Sequence, residues 1–199
     1  MTDLIHSLKA ALARSGSESS DFDLNPEVKL PPDRNLRPAG VLVALTEIDG
    51  AWHVILTKRS SALKHHPGQI AFAGGKQDET DTDVIAAALR EAREEIGLPS
   101  GIVEIIGTLP THETVTSFQV TPVLARVRDT FVLVPEPGEV EEVFTVPLKH
   151  LLNPDNYLVQ SRRWQGSRRY YFTVPYGPYY VWGATARILR GLADRMAGS

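Results

Sequence analysis

The chain contains no cysteine. That rules out disulfides and thiolate-held metals, and it fits a reducing compartment. No apolar run approaches the roughly 18 residues of a membrane span, so no membrane partner is expected. Basic residues are not in excess either: 21 Lys and Arg against 24 Asp and Glu leave a formal charge of -3. A nucleic-acid backbone usually calls for a basic patch, so no nucleic acid is expected as partner. The N-terminal stretch MTDLIHSLKAALARSGSESS lacks the apolar block of a secretory signal, and the expected location is cytoplasmic. Internal repeats and long low-complexity tracts are missing too. The remainder is an ordinary globular composition, 199 residues with 42% hydrophobic and 23% charged. That suffices for one domain with a real core, or for one domain plus an arm.

Leu4, Ile5, Leu8, Ala11 and Leu12 recur at helical spacing, which predicts a short helix over 3–14. The following SGSESSDFDLNPEVKLPPDRNLRP has no periodicity and reads as an extended connection. Residues 1–36 are therefore expected to be a helix and extended arm, and 37–199 the main domain. GVLVALTEI and AWHVILTKRS are β-rich runs joined at Asp49-Gly50, a dipeptide suited to a tight hairpin. GQIAFAGG reads as a short strand ending in two glycines. GIVEIIGTL, SFQVTPVLARV, YLVQSRRW and RRYYFTV read as further strands, VPLKHLL as a short helix and WGATARILRGLADRM as a closing helix. The expected architecture is α/β, a mixed sheet with helices on both faces.

The segment ALREAREEIGL predicts a helix from about Asp83 to Ile96 with Glu91, Glu94 and Glu95 crowded on it. At about 100° per residue, Ile85, Leu89, Ala92 and Ile96 form one stripe that should face the core. Glu91 and Glu95 fall together elsewhere, with Glu94 beside them. Arg90 lies one turn before Glu94 and can pair with it, whereas Arg93 points away. Asp81 or Thr82 can cap the start, and Asp83 suits the positive end of the dipole. Gly97, followed by Leu98 and Pro99, stops the helix. Ala87 and Ala88 keep the neighbouring surface low enough for another backbone to approach. Like charges at this spacing repel, and a solvated face would interleave more cations. A hard divalent cation, which takes oxygen ligands and substrate phosphates, converts the repulsion into a binding site. Gly74 and Gly75, just ahead of the helix, supply bare backbone for a ligand or a carbonyl for a metal.

GGKQDETDTDVIAAALREAREEIGL resembles the Nudix box, G-x5-E-x7-R-E-U-x-E-E-x-G-U, where U is bulky and apolar. Gly75 opens it, and Arg90, Glu91, Glu94, Glu95, Gly97 and Leu98 match its second half. Asp81 replaces the first Glu, one extra residue precedes Arg90, and Ala92 is smaller than usual. Upstream, LTKRSSALKHHPGQIAFAGG is similar to the signature of the coenzyme A diphosphatase branch, L-x-x-R-S-x-x-L-[RK]-x-H-x-G-x-x-x-F-P-G-G. Arg59, Ser60, Leu63, Lys64, His66, Gly68, Phe72, Gly74 and Gly75 fit it, with Ala73 where Pro is usual. VWGATARIL resembles the branch's final helix. The likeness covers most of residues 38 to 195 and leaves the arm before Arg37 outside.

The resemblance implies a Nudix α/β/α sandwich and hydrolysis, dependent on Mg²⁺ or Mn²⁺, of a nucleoside diphosphate linked to another group. For this branch the small-molecule substrate would be CoA or a derivative. It implies Glu91 and Glu95 as metal ligands, with Glu94 and the Gly75 carbonyl completing the set. Arg90, Gly74 and Gly97 would support the site, with Arg90 orienting Glu94. The general base would be Glu94 or Glu139, the latter in EPGEVEEVFTVPL; Glu113 in THETVTS is a second loop candidate, and either loop residue could equally be a plain surface carboxylate. Arg59 and Lys64 are candidates for phosphate contacts because a guanidinium fork suits phosphate oxygens; Arg59 could instead pair with an acidic neighbour. His66 would touch substrate or merely pack. The aromatic run RRYYFTVPYGPYYVW reads as core or interface rather than an adenine stack. Two other functions stay open: a Nudix hydrolase of another nucleotide derivative, and a non-catalytic nucleotide-sensing module, which would be expected to have lost a metal-binding Glu. A homodimer is also left open.

Overall fold

A computed structural model describes every residue except 1, 15, 32, 65, 165 and 199. Helix α1 (Thr2–Leu12) is followed by β1 (Ser19–Ser20), β2 (Arg37–Ile48), β3 (Ala51–Arg59), β4 (Ile70–Ala71) and β5 (Ala73–Lys76). Helix α2 (Val84–Ile96) leads to β6 (Val103–Thr108), β7 (His112–Glu113), β8 (Phe118–Val127) and β9 (Val140–Pro147). Helix α3 (Leu148–Leu151), then β10 (Leu158–Trp164), β11 (Ser167–Tyr176), β12 (Tyr179–Trp182) and α4 (Gly183–Ala197) complete the order.

The long strands build one mixed sheet. β2 pairs parallel with β8 and antiparallel with β3, and β3 in turn pairs antiparallel with β9. Side chains alternate across the sheet, so β2 feeds two cores. Leu42 and Ala44 join Ala88, Ala92 and Ile96 of α2 on one face. Val43 and Leu45 join Leu189 and Leu192 of α4 on the other, together with Leu8 of α1. The sheet is thus sandwiched between helices. A second sheet, β10-β11-β12, stands beside it. The β2–β3 hairpin turns at Asp49 and Gly50 with φ of 50° and 76°, the two left-handed residues such a turn requires.

Several expectations shift. GQIAFAGG forms two strands, not one. Gly74 and Gly75 lie inside the second, opposite Val41 and Gly40 of β2. The cap of α2 is Asp83, whose carboxylate accepts from Ala86 N–H at 2.8 Å, and not Asp81 or Thr82. The expected stripe of Ile85, Leu89, Ala92 and Ile96 does face the core, with Ile85 and Leu89 partly buried, and the buried side of α2 extends beyond it to Ala87, Ala88 and Glu95. The cause is close approach: a Cβ on Gly40 would run into the Val84 carbonyl and lie 3.2 Å from Ala88 Cβ. Small residues therefore let the helix settle on β2, and that close approach buries Glu95 as well.

The arm packs on the rest of the chain. β1 adds in parallel to β7. Asn25 is buried and brackets Tyr170, its amide donating to the Tyr170 carbonyl at 2.9 Å and its Oδ1 accepting from the Tyr170 N–H at 2.8 Å. His112 is fully buried between Ser19 Oγ at 2.9 Å and Asp21 Oδ1 at 3.1 Å.

The helix–strand approach makes a testable demand. Gly40→Ala should cost about 2 kcal/mol of unfolding free energy in a urea titration, from overpacking against backbone. Gly101→Ala, where an added Cβ meets nothing, should stay within about 0.5 kcal/mol.

Candidate active site

The carboxylates of α2 are held by three different environments. Glu95 is buried, 4% exposed, and its Oε2 accepts the Gly74 N–H at 3.2 Å. Gly74 adopts φ 155°, and a Cβ there would collide with the Gly40 carbonyl of β2, so only glycine presents this N–H. Glu91 lies against Gly75, where an added Cβ would sit 2.5 Å from its Oε1. Glu94 is the outermost, its side chain about half exposed, and it pairs with Arg90 at 2.9 Å.

Arg90 is the hub of this end of the site. Its Nε and Nη2 meet Asp81 at 3.0 and 2.9 Å, its Nη1 meets Glu91 at 3.0 Å, and its Nη2 also reaches the Lys76 carbonyl. The pairing with Asp81 raises the Arg90 pKa and holds the Asp81 carboxyl below its usual range. Asp81 Oδ2 also accepts the Asp78 N–H at 2.9 Å. The shorter acid therefore reaches Arg90 across the extra residue in the loop.

At the other end of α2, Gly97 takes φ 72° and donates its N–H to the Arg93 carbonyl at 3.1 Å. Two further helix-end carbonyls anchor a loop: Val134 N–H donates to Ile96 at 3.1 Å and Glu136 N–H to Glu95 at 2.9 Å. Glu139 N–H then donates to the Glu136 carbonyl at 3.0 Å, and the Glu139 carbonyl accepts from Ser60 N–H at 2.8 Å. Glu139 is thus pinned between α2 and the residue after Arg59. Its charge raises the pKa of both Glu91 and Glu95. Glu113 is placed differently, with both oxygens held by Arg34; an acid so engaged is ill suited to accept a proton.

Burial pushes Glu95 up to about 7, reinforced by Glu91 and Glu139 and opposed by the Gly74 N–H and the Arg59 charge. Burial also raises Glu91, against the pull of Arg90. A buried carboxylate with like charges around it is the condition that a dication relieves. The donor chemistry fits: carboxylates and a glycine carbonyl are the hard oxygen ligands of Mg²⁺ or Mn²⁺. Among the described residues no three acidic or imidazole groups form a closed cage, and Glu91 and Glu94 share the Arg90 Nη1.

On the far side of Gly74 opens a cavity of about 510 Å³. Arg59, Lys64 and His66 all line it, as does Gly74 itself. Arg59 Nε is buried and has no hydrogen-bond partner among the described residues. The loop bearing Lys64 and His66 is closed at its base by Arg59, whose N–H donates to Gln69 at 2.9 Å and whose carbonyl accepts from Gly68 at 3.1 Å. The cavity has walls that local spacing did not indicate: Asp21 and Asn25 from the arm, Thr114–Thr116, and Arg162, Arg169, Tyr171 and Trp182 from the second sheet. Part of the aromatic run is core, as expected. Val174 and Val181 beside the aromatics are buried there, and Tyr179 packs partly buried against the core, stacked on Phe144 at 3.6 Å. Tyr170, Tyr171 and Trp182 instead face the cavity.

The model of the NUDIX domain matches residues 36–166. A Nudix hydrolase NudL of Enterobacter sp. (strain 638), named as uncharacterized, is 43% identical over 159 residues, which is 80% of this chain and 82% of that protein. The chain belongs to the Nudix family. A NudL of Escherichia coli O7:K1 is 42% identical over the same length and shares. Among solved structures, a MutT/nudix family protein from Enterococcus faecalis aligns over 87% of this chain and 67% of its own, with TM-score 0.52 and 14% identity. The MutT protein from Methanosarcina mazei Go1 aligns over 84% and 97%, with TM-score 0.51 and 16% identity. These two bear on the fold alone, and the α/β/α Nudix sandwich is the fold seen here. In Nudix terms, the box runs from the Gly75 strand through the Asp81–Arg90 clamp to the carboxylates of α2.

The Glu95 shift predicts a pH dependence for the metal-free protein. A carboxyl that is harder to ionise in the fold favours folding while protonated. Its contribution is complete below the unfolded value of 4.5 and is lost as pH rises through about 7. In excess EDTA, urea unfolding should therefore show stability falling across that window, by up to about 3 kcal/mol. Glu95→Gln should flatten the slope; an unchanged slope would assign the effect elsewhere.

Proposed function

We infer that the protein is a Nudix hydrolase that cleaves the diphosphate linkage of coenzyme A or a CoA derivative. The products would be 3′-phosphoadenosine 5′-phosphate and a 4′-phosphopantetheine species. One observation carries this reading. Gly74 joins the acidic helix to the upstream signature: its N–H holds Glu95, and it lines the same cavity as Arg59, Lys64 and His66. A diphosphate lying along Gly74 would have carboxylates on one side and cations on the other.

Glu91, Glu95, Glu94 and the Gly75 carbonyl would hold Mg²⁺ or Mn²⁺. When bound, the ion shields phosphate charge and lowers the pKa of water. The protein's own groups do the rest. Arg59 and Lys64 bind and orient the phosphate oxygens, Arg59 being suited to a bidentate contact. The anchored loop holds Glu139 toward the Glu91–Glu95 pair, where its carboxylate accepts the proton of the attacking water. Glu94, steadied by Arg90, is the alternative acceptor. The water oxygen joins one phosphorus, and the bridging P–O bond breaks with its electrons going to the departing phosphate.

The test is product analysis over a panel of CoA, ADP-ribose and nucleoside triphosphates with Mg²⁺ or Mn²⁺. CoA should be cleaved in preference, and indifference to CoA would remove the substrate assignment. Glu95→Gln should lower turnover by about a hundredfold or more while leaving the circular dichroism spectrum unchanged. Near-parental turnover would contradict the ligand assignment.

A further inference from the structure

The concave surface continues past the cavity beside Gly74. Beyond Trp182 opens a second recess of about 390 Å³. Trp182 lines both spaces, so they meet at its ring. The segment 68–71 runs between them: Gln69 and Ala71 line the cavity, while Gly68 and Ile70 line the recess. The small sheet bridges them as well. Tyr180 and Trp182 are two apart on β12 and share a face with Pro175 and Thr173, their partners on β11. Tyr171, two residues before Thr173, falls on that face too. It lines the cavity, Tyr180 lines the recess, and their hydroxyls are 3.4 Å apart.

The two spaces differ in chemistry. Arg59, Lys64 and Arg162 bring positive charge to the cavity. The recess is lined by one cation and one anion, Lys58 and Glu142, and each is engaged. Lys58 Nζ meets Glu141 at 2.6 Å, and Glu142 accepts from the Tyr179 hydroxyl at 2.5 Å. Beside these pairs, Ile70, Pro178, Tyr180 and Trp182 present hydrocarbon and ring. Tyr180 stays 45% exposed, an aromatic face open to a ligand. A phosphate or nucleobase entering the recess would give up water for side chains that have partners, at a cost. A hydrocarbon chain there gains by leaving water and by packing on the aromatic rings.

We propose that the recess binds an apolar chain, carried by the group that the diphosphate links to the nucleoside. For the substrate inferred above this is the acyl tail of a CoA thioester, an identification that rests on that reading. The phosphates stay among the cations of the cavity, the neutral linking arm crosses Trp182, and the tail lies against Tyr180 and Ile70. Anion, neutral arm and hydrocarbon follow one another along such a molecule in the same order as cations, aromatic ridge and apolar recess follow along the protein.

The test compares hexanoyl-CoA with CoA as substrates. The parent protein should favour the thioester by about tenfold in kcat/KM, mostly through KM, as burial of a few methylenes implies. Tyr180→Ser should bring that ratio toward one, and Tyr180→Phe should preserve it, because the ring and not the hydroxyl forms the wall. Equal use of the two substrates by the parent overturns the proposal. So does a Ser variant that keeps the preference, or a Phe variant that loses it. If neither CoA nor its thioester is cleaved, the substrate reading fails while the recess is still decided by calorimetry in EDTA, with the hexyl and methyl esters of ADP as ligands. Tighter binding of the hexyl ester, lost in Tyr180→Ser, upholds it; equal binding of the two esters, or a preference that survives in Tyr180→Ser, refutes it.

Discussion

The contact of α2 with glycine backbone governs the rest of this molecule. Gly40 admits the Val84 carbonyl and Ala88, and Gly74 and Gly75 admit Glu95 and Glu91. Because the helix lies so near the sheet, one of its acids is buried and another rests against bare main chain. A side chain at Gly40 would lift α2, one at Gly75 would displace the Glu91 carboxylate, and one at Gly74 would collide with β2 and disturb the N–H that holds Glu95. The electrostatic penalty is thus a consequence of packing. It leaves Glu95 only half-ionised near neutrality, a poor arrangement for stability and a suitable one for a cation.

Two supports keep that packing in register. Asp83 caps the start of α2, a contact of about 1 kcal/mol, while Asp81 is left to clamp Arg90. At the other end, the loop that follows β8 closes the helix carbonyls and positions Glu139. The substrate side is assembled from farther away. The arm, the segment 114–116, the loop after β3 and the second sheet each contribute a wall of the cavity. The buried bonds of Asn25 to Tyr170 tie the first of these to the last.

Much of this was legible in the chain. The hairpin at Asp49-Gly50, the helix ending at Gly97 and the crowding of Glu91, Glu94 and Glu95 are local patterns, and local spacing reports them well. The pairing of Arg90 with Glu94 is likewise a one-turn relation. Harder to read was the depth of Glu95, because it lies outside the stripe of Ile85, Leu89, Ala92 and Ile96 and is buried only where α2 approaches small residues of the sheet closely. The Asp81 clamp was obscured by the added loop residue, although the loop's own turn absorbs it. The cavity walls depend on contacts between residues such as Asn25 and Tyr170, far apart in sequence, which no window of the chain displays. The aromatic run RRYYFTVPYGPYYVW was visible as letters; only the fold shows that Tyr171 and Trp182 line the cavity and that Tyr180 lines the recess beside it.

Calorimetric titration with Mn²⁺ in two buffers of different ionisation heat tests the central claim, that a dication neutralises these acids, most directly. At about pH 6 binding should expel a proton from Glu95, and at about pH 8.5 it should not, because the carboxylate is already ionised there. Proton release should vanish and affinity should fall in Glu95→Gln. Mn²⁺ binding that is unchanged in that variant, with no proton released at either pH, would contradict it.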